Sequence, residues 1–185
     1  MKVDVNAGNV LLAEPFMLDP HFKRSVIVLC DYSRDEGTVG FILNKVISTT
    51  IHDVIDDFPV INAPVYYGGP VGKENLFYIH NVGQLLEESM EVIPGLYWGG
   101  DFEKLKFLIS SGLITEKNIR FFIGYSGWSP GQLEDELNGG SWVISDMHPN
   151  YAFKSKPKYL WRQVMKDKGD NFTVIAQMPD SFILN

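Results

Sequence analysis

The residues with the strongest claim to chemistry in this chain are Gly124-Tyr125-Ser126-Gly127-Trp128. A serine between glycines, where an apolar strand hands over to a helix, is the arrangement of a nucleophile elbow. Asp146 and His148 follow in the acid-then-base order of α/β hydrolases. The register is incomplete. An elbow turns too tightly for a side chain two residues beyond the serine, and Trp128 stands there. Asp146 and His148 are two residues apart, which on a strand puts them on one face without aiming them at a serine. The favoured reading is therefore structural, with Trp128 packing and Ser129 capping a helix. A small hydrolase using the Ser126 turn stays as an alternative.

Other groupings are weaker. Gly68-Gly69-Pro70-Val71-Gly72-Lys73-Glu74 superficially matches a phosphate loop, but the first glycine falls on Tyr67, Glu74 replaces the metal-binding hydroxyl, and Pro70 removes an N–H donor. A tight glycine-permitted turn fits better. His21, His52, His80 and His148 show no metal-binding spacing, and Cys30 is the only cysteine, so no metal and no cofactor is expected. Cys30 ends an apolar strand, where a thiol is usually a small buried hydrophobe. The adjacent carboxylates Asp56 and Asp57, Glu87 and Glu88, and Asp135 and Glu136 diverge from one another and read as solvated faces.

Charge is the remaining asymmetry. Lys154, Lys156, Lys158, Arg162, Lys166 and Lys168 against Asp167 give +5 between Tyr151 and Lys168, while the whole chain carries −7. Interleaved Tyr151, Phe153, Tyr159 and Trp161 could stack on bases, so nucleic-acid binding through segment 154–168 is a further alternative. A pI near 5.0 argues against direct binding of nucleic acid and favours an acidic partner or solvent for that face.

These residues must be positioned by a fold, and the 185-residue chain, 45% hydrophobic and 13% aromatic, has ample apolar surface for one core. Disordered and fibrous classes are excluded. Prolines 59, 64 and 70 interrupt the longest uncharged stretch, so no membrane helix is expected. Asp4 and Glu14 break the N-terminal apolar stretch, and together with the unpaired Cys30 they suggest a cytoplasmic protein. Short β-branched and aromatic runs predict strands over Val10–Ala13, Ser25–Leu29, Val39–Leu43, Val65–Tyr67, Leu76–Ile79, Ile119–Tyr125 and Trp142–Ile144. Helical spacing predicts helices from Thr50 to Phe58, from Asp101 to Gly112, from a Ser129 cap through Pro130 and Gln132 to Gly139, and from Ser155-Lys156-Pro157 to Gly169. The mixture is α+β with mainly antiparallel pairing, in a single domain spanning 1–185.

Several of these segments together resemble the AlgH/YqgE family of bacterial proteins: Leu11 to Ile27, with its Glu14-Pro15-Phe16-Met17-Leu18-Asp19-Pro20 centre; Gly40-Phe41-Ile42-Leu43-Asn44-Lys45; Val65 to Val71; Leu76 to His80; and Gly124 to Glu134. Order and spacing match from about Gly8 to Trp161. The resemblance implies bent, mainly antiparallel sheets in a barrel-like body with helices packed outside. It implies no catalytic residues, and some members carry a transcriptional-regulator label. Two departures stand out: Ser126 where alanine is frequent in the family, and Tyr32 after Asp31 where a histidine is expected.

The family-matching positions are Asp19, Arg24, Ser25, Asn44, Gly68, Gly69, Pro70, His80, Trp128, Gln132 and Glu134. Asp19, Ser25, Gly68, Gly69, Pro70, Trp128, Gln132 and Glu134 have turn, cap or packing roles available. Arg24, Asn44 and His80 are less easily explained locally and are the candidate ligand or partner surface. Lys154, Lys156, Lys158 and Arg162 form the candidate basic surface. The expectation is a non-enzymatic protein acting through contacts with a protein partner or small ligand, with any effect on transcription indirect.

Overall fold

The computed structural model describes residues 4–177. Strands β1 (Asn9–Ala13), β2 (Val26–Ser33) and β3 (Gly37–Ile42) pair antiparallel in sequence order, and β9 (Trp142–Asp146) lies antiparallel on the outer side of β1. Their apolar runs are nearly continuous because both faces are covered. Val10, Leu12, Val26 and Val28 pack with Leu160, Trp161, Val164 and Met165 of helix α5 (Pro157–Asp167). The alternate residues Leu11, Ala13, Ile27 and Leu29 pack with Trp128, Trp142 and Leu133 of α3 (Gln132–Asn138).

The other half of the sheet comprises β4 (Val65–Tyr67), β5 (Val71–His80), β6 (Met90–Ile93), β7 (Leu96–Trp98) and β8 (Ile119–Trp128). The order is β6-β7-β5-β8-β3-β2-β1-β9, with β4 beside β8 in the one parallel pairing among the described strands. Helices α1 (Ile51–Val54) and α2 (Phe102–Ser110) cover this half, burying Ile51, Leu105, Leu108 and Ile109 with Phe121 and Ile119 of β8. Two further helices, α4 (Pro149–Phe153) and α6 (Asp170–Ala176), flank α5. The α+β class and the bent, mainly antiparallel sheet expected from the sequence are present, and the sheet remains open, with β6 and β9 at its ends. No helix among the described residues is long and apolar enough to cross a membrane.

Several boundaries differ from the sequence reading, each for a local reason. The first helix ends at Val54, because Ile55 is extended and Asp57 adopts a left-handed φ of 57° just before Pro59. Ser129 does not cap α3 and Pro130 is not its first residue. Gln132 N–H donates to the Ser129 carbonyl at 3.0 Å across Pro130 and Gly131, and Gly131 at φ 76° is the N-cap. Proline followed by a positive-φ glycine makes a type II turn there. Half of the expected capping box survives, since Gln132 Oε1 accepts from Ser129 N–H at 2.9 Å. Lys156, not Ser155, is the N-cap of α5, with Pro157 as its first residue. The short β6–β7 hairpin, α4 and α6 escaped the pattern because each is only three to seven residues long.

The two halves of the sheet meet where the chain leaving β4 crosses β8. The Gly68 carbonyl accepts from Ile42 N–H at 3.1 Å, and Gly68 N–H donates to the Ile123 carbonyl at 2.9 Å. A Cβ on Gly68 would overlap the Gly124 carbonyl oxygen, and one on Gly69 (φ 154°) would overlap the Tyr125 carbonyl. Gly69→Ala is therefore expected to lower stability by about 3 kcal/mol or more and Tm by about 6 °C or more in thermal unfolding. An unchanged Tm would contradict the close crossing.

Candidate functional site

The structure places Ser126 inside β8, opposite Gly40 of β3, rather than on a strand-to-helix turn. It is fully buried, and its Oγ donates to the Gly68 carbonyl at 3.0 Å. The elbow considered from the sequence is thus absent: the strand continues to Trp128, and the hydroxyl serves the Gly68 crossing. Cys30 is also buried, and burial, reinforced by neighbouring Asp31, pushes its thiol up, away from the reactive thiolate. His148 accepts from Asn150 N–H at 3.1 Å and caps α4, while Asp146 meets Asn9 across the β1–β9 ladder.

Of Arg24, Asn44 and His80, the structure bonds the first two to each other and places His80 at the end of β5. Asn44 Oδ1 accepts from Val26 N–H at 2.9 Å and its Nδ2 donates to the Arg24 carbonyl at 2.8 Å, so the side chain extends the β2–β3 ladder. That bridge also steadies Arg24, whose φ of 53° is unusual for a residue with a side chain. The Arg24 guanidinium lies 4.4 Å from the centroid of the Trp161 ring, tying α5 to the sheet. His80 is fully buried: Val82 N–H donates to Nδ1 at 3.3 Å, leaving Nε2–H to donate to the Gly99 carbonyl at 2.9 Å. The ring stacks on Tyr97 with centroids 5.8 Å apart. The hydrogen-bonding capacity of Asn44 is spent on backbone and that of His80 on backbone and the Ser89 hydroxyl, 3.0 Å from Nε2, and none of the three residues lines the clefts at the β2–β3 hairpin.

Asp19 makes the turn expected of it, its Oδ1 accepting from His21 N–H at 2.8 Å. Lys45 Nζ donates to the Pro20 and His21 carbonyls at 2.9 and 2.8 Å, fixing the same loop. Ser25 is buried, and its Oγ has no hydrogen-bond partner among the described residues. Pro70 follows the Gly68-Gly69 crossing and leads into β5, whose strand contains Lys73 and Glu74, so the glycine run is a turn and not a phosphate loop. Lys154, Lys156, Lys158 and Arg162 are all exposed.

The polar groups that do converge lie at the far end of the β2–β3 hairpin. A cleft of about 650 Å³ is walled by Asp4, Val5 and Asn6, by Tyr32 and Arg34 of the hairpin, and by Glu134, Leu137 and Asn138 of α3. Tyr32 stands near the end of β2 and Arg34 is the first residue of the turn that follows it, while Glu134, Leu137 and Asn138 share a face at helical spacing. Tyr32 OH donates to Glu134 Oε1 at 2.6 Å, and Gly131 N–H donates to the Arg34 carbonyl at 3.1 Å, so hairpin and helix are bonded across the cleft. The hydrogen bond to Glu134 raises the Tyr32 hydroxyl above its ordinary value, with smaller contributions from burial and the Glu134 and Asp4 charges, against Arg34. Tyr32 is therefore a neutral donor at physiological pH. Asp31 and Ser33, on either side of Tyr32, line a second cleft of about 460 Å³ with Trp128.

Helix α3 is oriented by Glu136. Its Oε2 accepts from the indole N–H groups of Trp128 at 2.9 Å and Trp142 at 2.7 Å, and its Oε1 accepts from Gln132 Nε2 at 2.9 Å. The two indoles meet edge to face, 6.0 Å apart. Glu136 is thus a half-buried clamp rather than part of a solvated acidic face. Sequence reasoning missed it, together with Arg34, Asn6 and Asn138, because what gathers these residues is the pairing of hairpin and helix across the fold.

The AlgH-like family model (DUF179) matches residues 10–173. The chain belongs to the AlgH-like family. It is 40% identical over 173 residues to a UPF0301 protein of Chlorobaculum tepidum, covering 94% of this chain and 92% of the relative. A UPF0301 protein of Cytophaga hutchinsonii is 39% identical, with 93% and 94% covered. The solution structure of the AlgH protein from Pseudomonas aeruginosa superposes with a TM-score of 0.74 at 26% identity, covering 97% of this chain and 98% of that one. The crystal structure of protein DIP2367 from Corynebacterium diphtheriae shares the fold, with a TM-score of 0.79 at 24% identity and 96% and 95% covered. None of these names carries an activity.

Two predictions follow from the site's supports. Replacing Glu136 with alanine leaves two indole N–H groups without their acceptor and should cost about 2–4 kcal/mol in chemical denaturation, whereas Glu136→Gln keeps an acceptor and should cost less. Equal costs would remove the clamp from the account. Burial lowers the His80 pKa, opposed by its hydrogen bond to Gly99, so the folded state binds fewer protons than the unfolded state below about pH 6.5. Its stability contribution is complete above that pH and is lost as pH falls. Tm should drop between pH 7 and 5, and His80→Asn should flatten that slope; an unchanged slope would contradict the assignment.

Proposed function

We propose that this AlgH-like protein is a non-enzymatic, cytoplasmic binding protein that takes a small polar ligand in the cleft between the β2–β3 hairpin and α3, with any effect on transcription following indirectly from that contact. The observation that carries the reading is the set of groups facing the cleft. The Arg34 guanidinium makes no hydrogen bond or ion pair among the described residues, and it stands beside a Tyr32–Glu134 pair already fixed at 2.6 Å. Val5 and Leu137 supply apolar wall between the polar groups, as small-molecule sites typically do. The groups with nucleophilic potential point the other way. Ser126 and Cys30 are enclosed in the sheet, where a substrate would have to separate strands to reach them.

The test is a thermal-shift screen of the full chain against nucleotides, amino acids and organic acids. A class that binds at a hundredfold excess over its Kd stabilises by about 2.7 kcal/mol, or about 5–10 °C. The shift should vanish in Arg34→Ala and in Glu134→Gln while their unliganded Tm stays within a few degrees of wild type. No shift with any class, or a shift that survives both substitutions, would overturn the proposal.

A further inference from the structure

The basic segment noted in the sequence becomes a defined surface once α5 is placed. With Leu160, Trp161, Val164 and Met165 turned into the core, Lys158, Arg162 and Lys166 are exposed at i, i+4 and i+8, about 6 Å apart along the axis. Lys154 and Lys156 precede the helix and Lys168 follows it, all exposed. Lys154, Lys156, Arg162 and Lys166 make no ion pair among the described residues. The one carboxylate of the segment, Asp167, is engaged by Tyr151 OH at 2.8 Å.

The arrangement works against the helix that carries it. Like charges at i, i+4 repel, and Lys158 stands in the first turn, where the helix dipole disfavours a cation. Lys166 in the last turn is favoured by the dipole and Lys158 lies over the Tyr159 ring at 5.6 Å, but no carboxylate among the described residues pairs with this face, which leaves it complementary to an external acidic group. We infer that the exposed face of α5 docks an acidic polypeptide segment of a partner protein.

Two observations favour a polypeptide over a nucleic acid. Of the rings that could have stacked on bases, Trp161 is 3% exposed and donates its indole N–H to the Ala13 carbonyl, and Tyr151 is tied to Asp167. Phe153 is partly buried against the core with the Arg120 guanidinium 5.6 Å from its ring, which leaves Tyr159, 52% exposed and itself beside Lys158, whereas single-stranded binding uses successive open rings. The patch is also short, about 16 Å for the 11 residues of α5, within a chain of net charge −7. A polyanion longer than the helix runs onto repelling surface within a Debye length of about 8 Å, while carboxylates confined to one peptide turn or two do not.

The experiment is fluorescence anisotropy of the full chain with a labelled peptide whose glutamates are confined to six consecutive residues and, separately, a 12-nucleotide oligothymidine. The peptide should bind at 50 mM salt and weaken about tenfold or more by 200 mM. Binding should fall at least tenfold in Lys158→Glu/Arg162→Glu/Lys166→Glu, or in Lys158→Gln/Lys166→Gln if the triple reversal does not fold. The exposed lysines elsewhere, Lys73 and Lys117, serve as controls: Lys73→Glu/Lys117→Glu should bind as wild type. Absence of peptide binding, equal loss in the control, or tighter binding of the oligonucleotide than of the peptide would each overturn the inference.

Discussion

The structure depends on one close crossing. Strand β8 is the element shared by both halves of the sheet: its first part pairs with β4 and β5, its last part with β3. Between them the Gly68-Gly69 backbone lies against Gly124 to Ser126 with no room for a side chain. The Gly68 carbonyl accepts from both Ile42 N–H and Ser126 Oγ, so strands β3, β4 and β8 are joined at a single atom. Without that contact the bend would have no fixed angle, and the end of the β2–β3 hairpin would not sit beside α3.

The cleft is a consequence of that geometry. The type II turn at Pro130 and Gly131 reverses the chain immediately after β8 and sets α3 back along the sheet, where Glu136 locks it to two tryptophans. With the helix held on its inner side, Glu134, Leu137 and Asn138 are free to face the hairpin, and the Tyr32–Glu134 bond sets the width of the opening. On the opposite side of the sheet, α5 buries a full apolar stripe and leaves its cations outward. The cleft and the basic face of α5 therefore occupy different parts of the fold.

Much of the architecture was legible in the sequence, because the strands over Val10–Ala13, Val39–Leu43 and Val65–Tyr67 and the Asp101-capped helix announce themselves by composition and spacing. The Asp101 side chain indeed accepts from Lys104 N–H at 2.6 Å. What was illegible depended on tertiary pairing. Ser126 looks like an elbow locally, and only the ladder to Gly40 turns it into a mid-strand residue. The partners of Asn44, Arg24 and Val26, are 20 and 18 residues away, and His80 reaches Gly99 across 19 residues as well as its neighbour Val82. The cleft escaped for the same reason: Tyr32 and Glu134 are separated by 102 positions, and no local pattern joins them.

The central claim is that this molecule acts by holding a ligand at the hairpin–α3 cleft and not by chemistry at the Ser126 crossing. A backbone amide ¹H–¹⁵N spectrum of the full chain, recorded with and without the low-molecular-mass fraction of a bacterial extract, tests it most directly. The account predicts perturbed amides concentrated at residues 32–34 and 131–138, with Gly68, Gly69 and Ser126 unmoved. Perturbations centred on Gly68, Gly69 and Ser126, with the cleft silent, would contradict it.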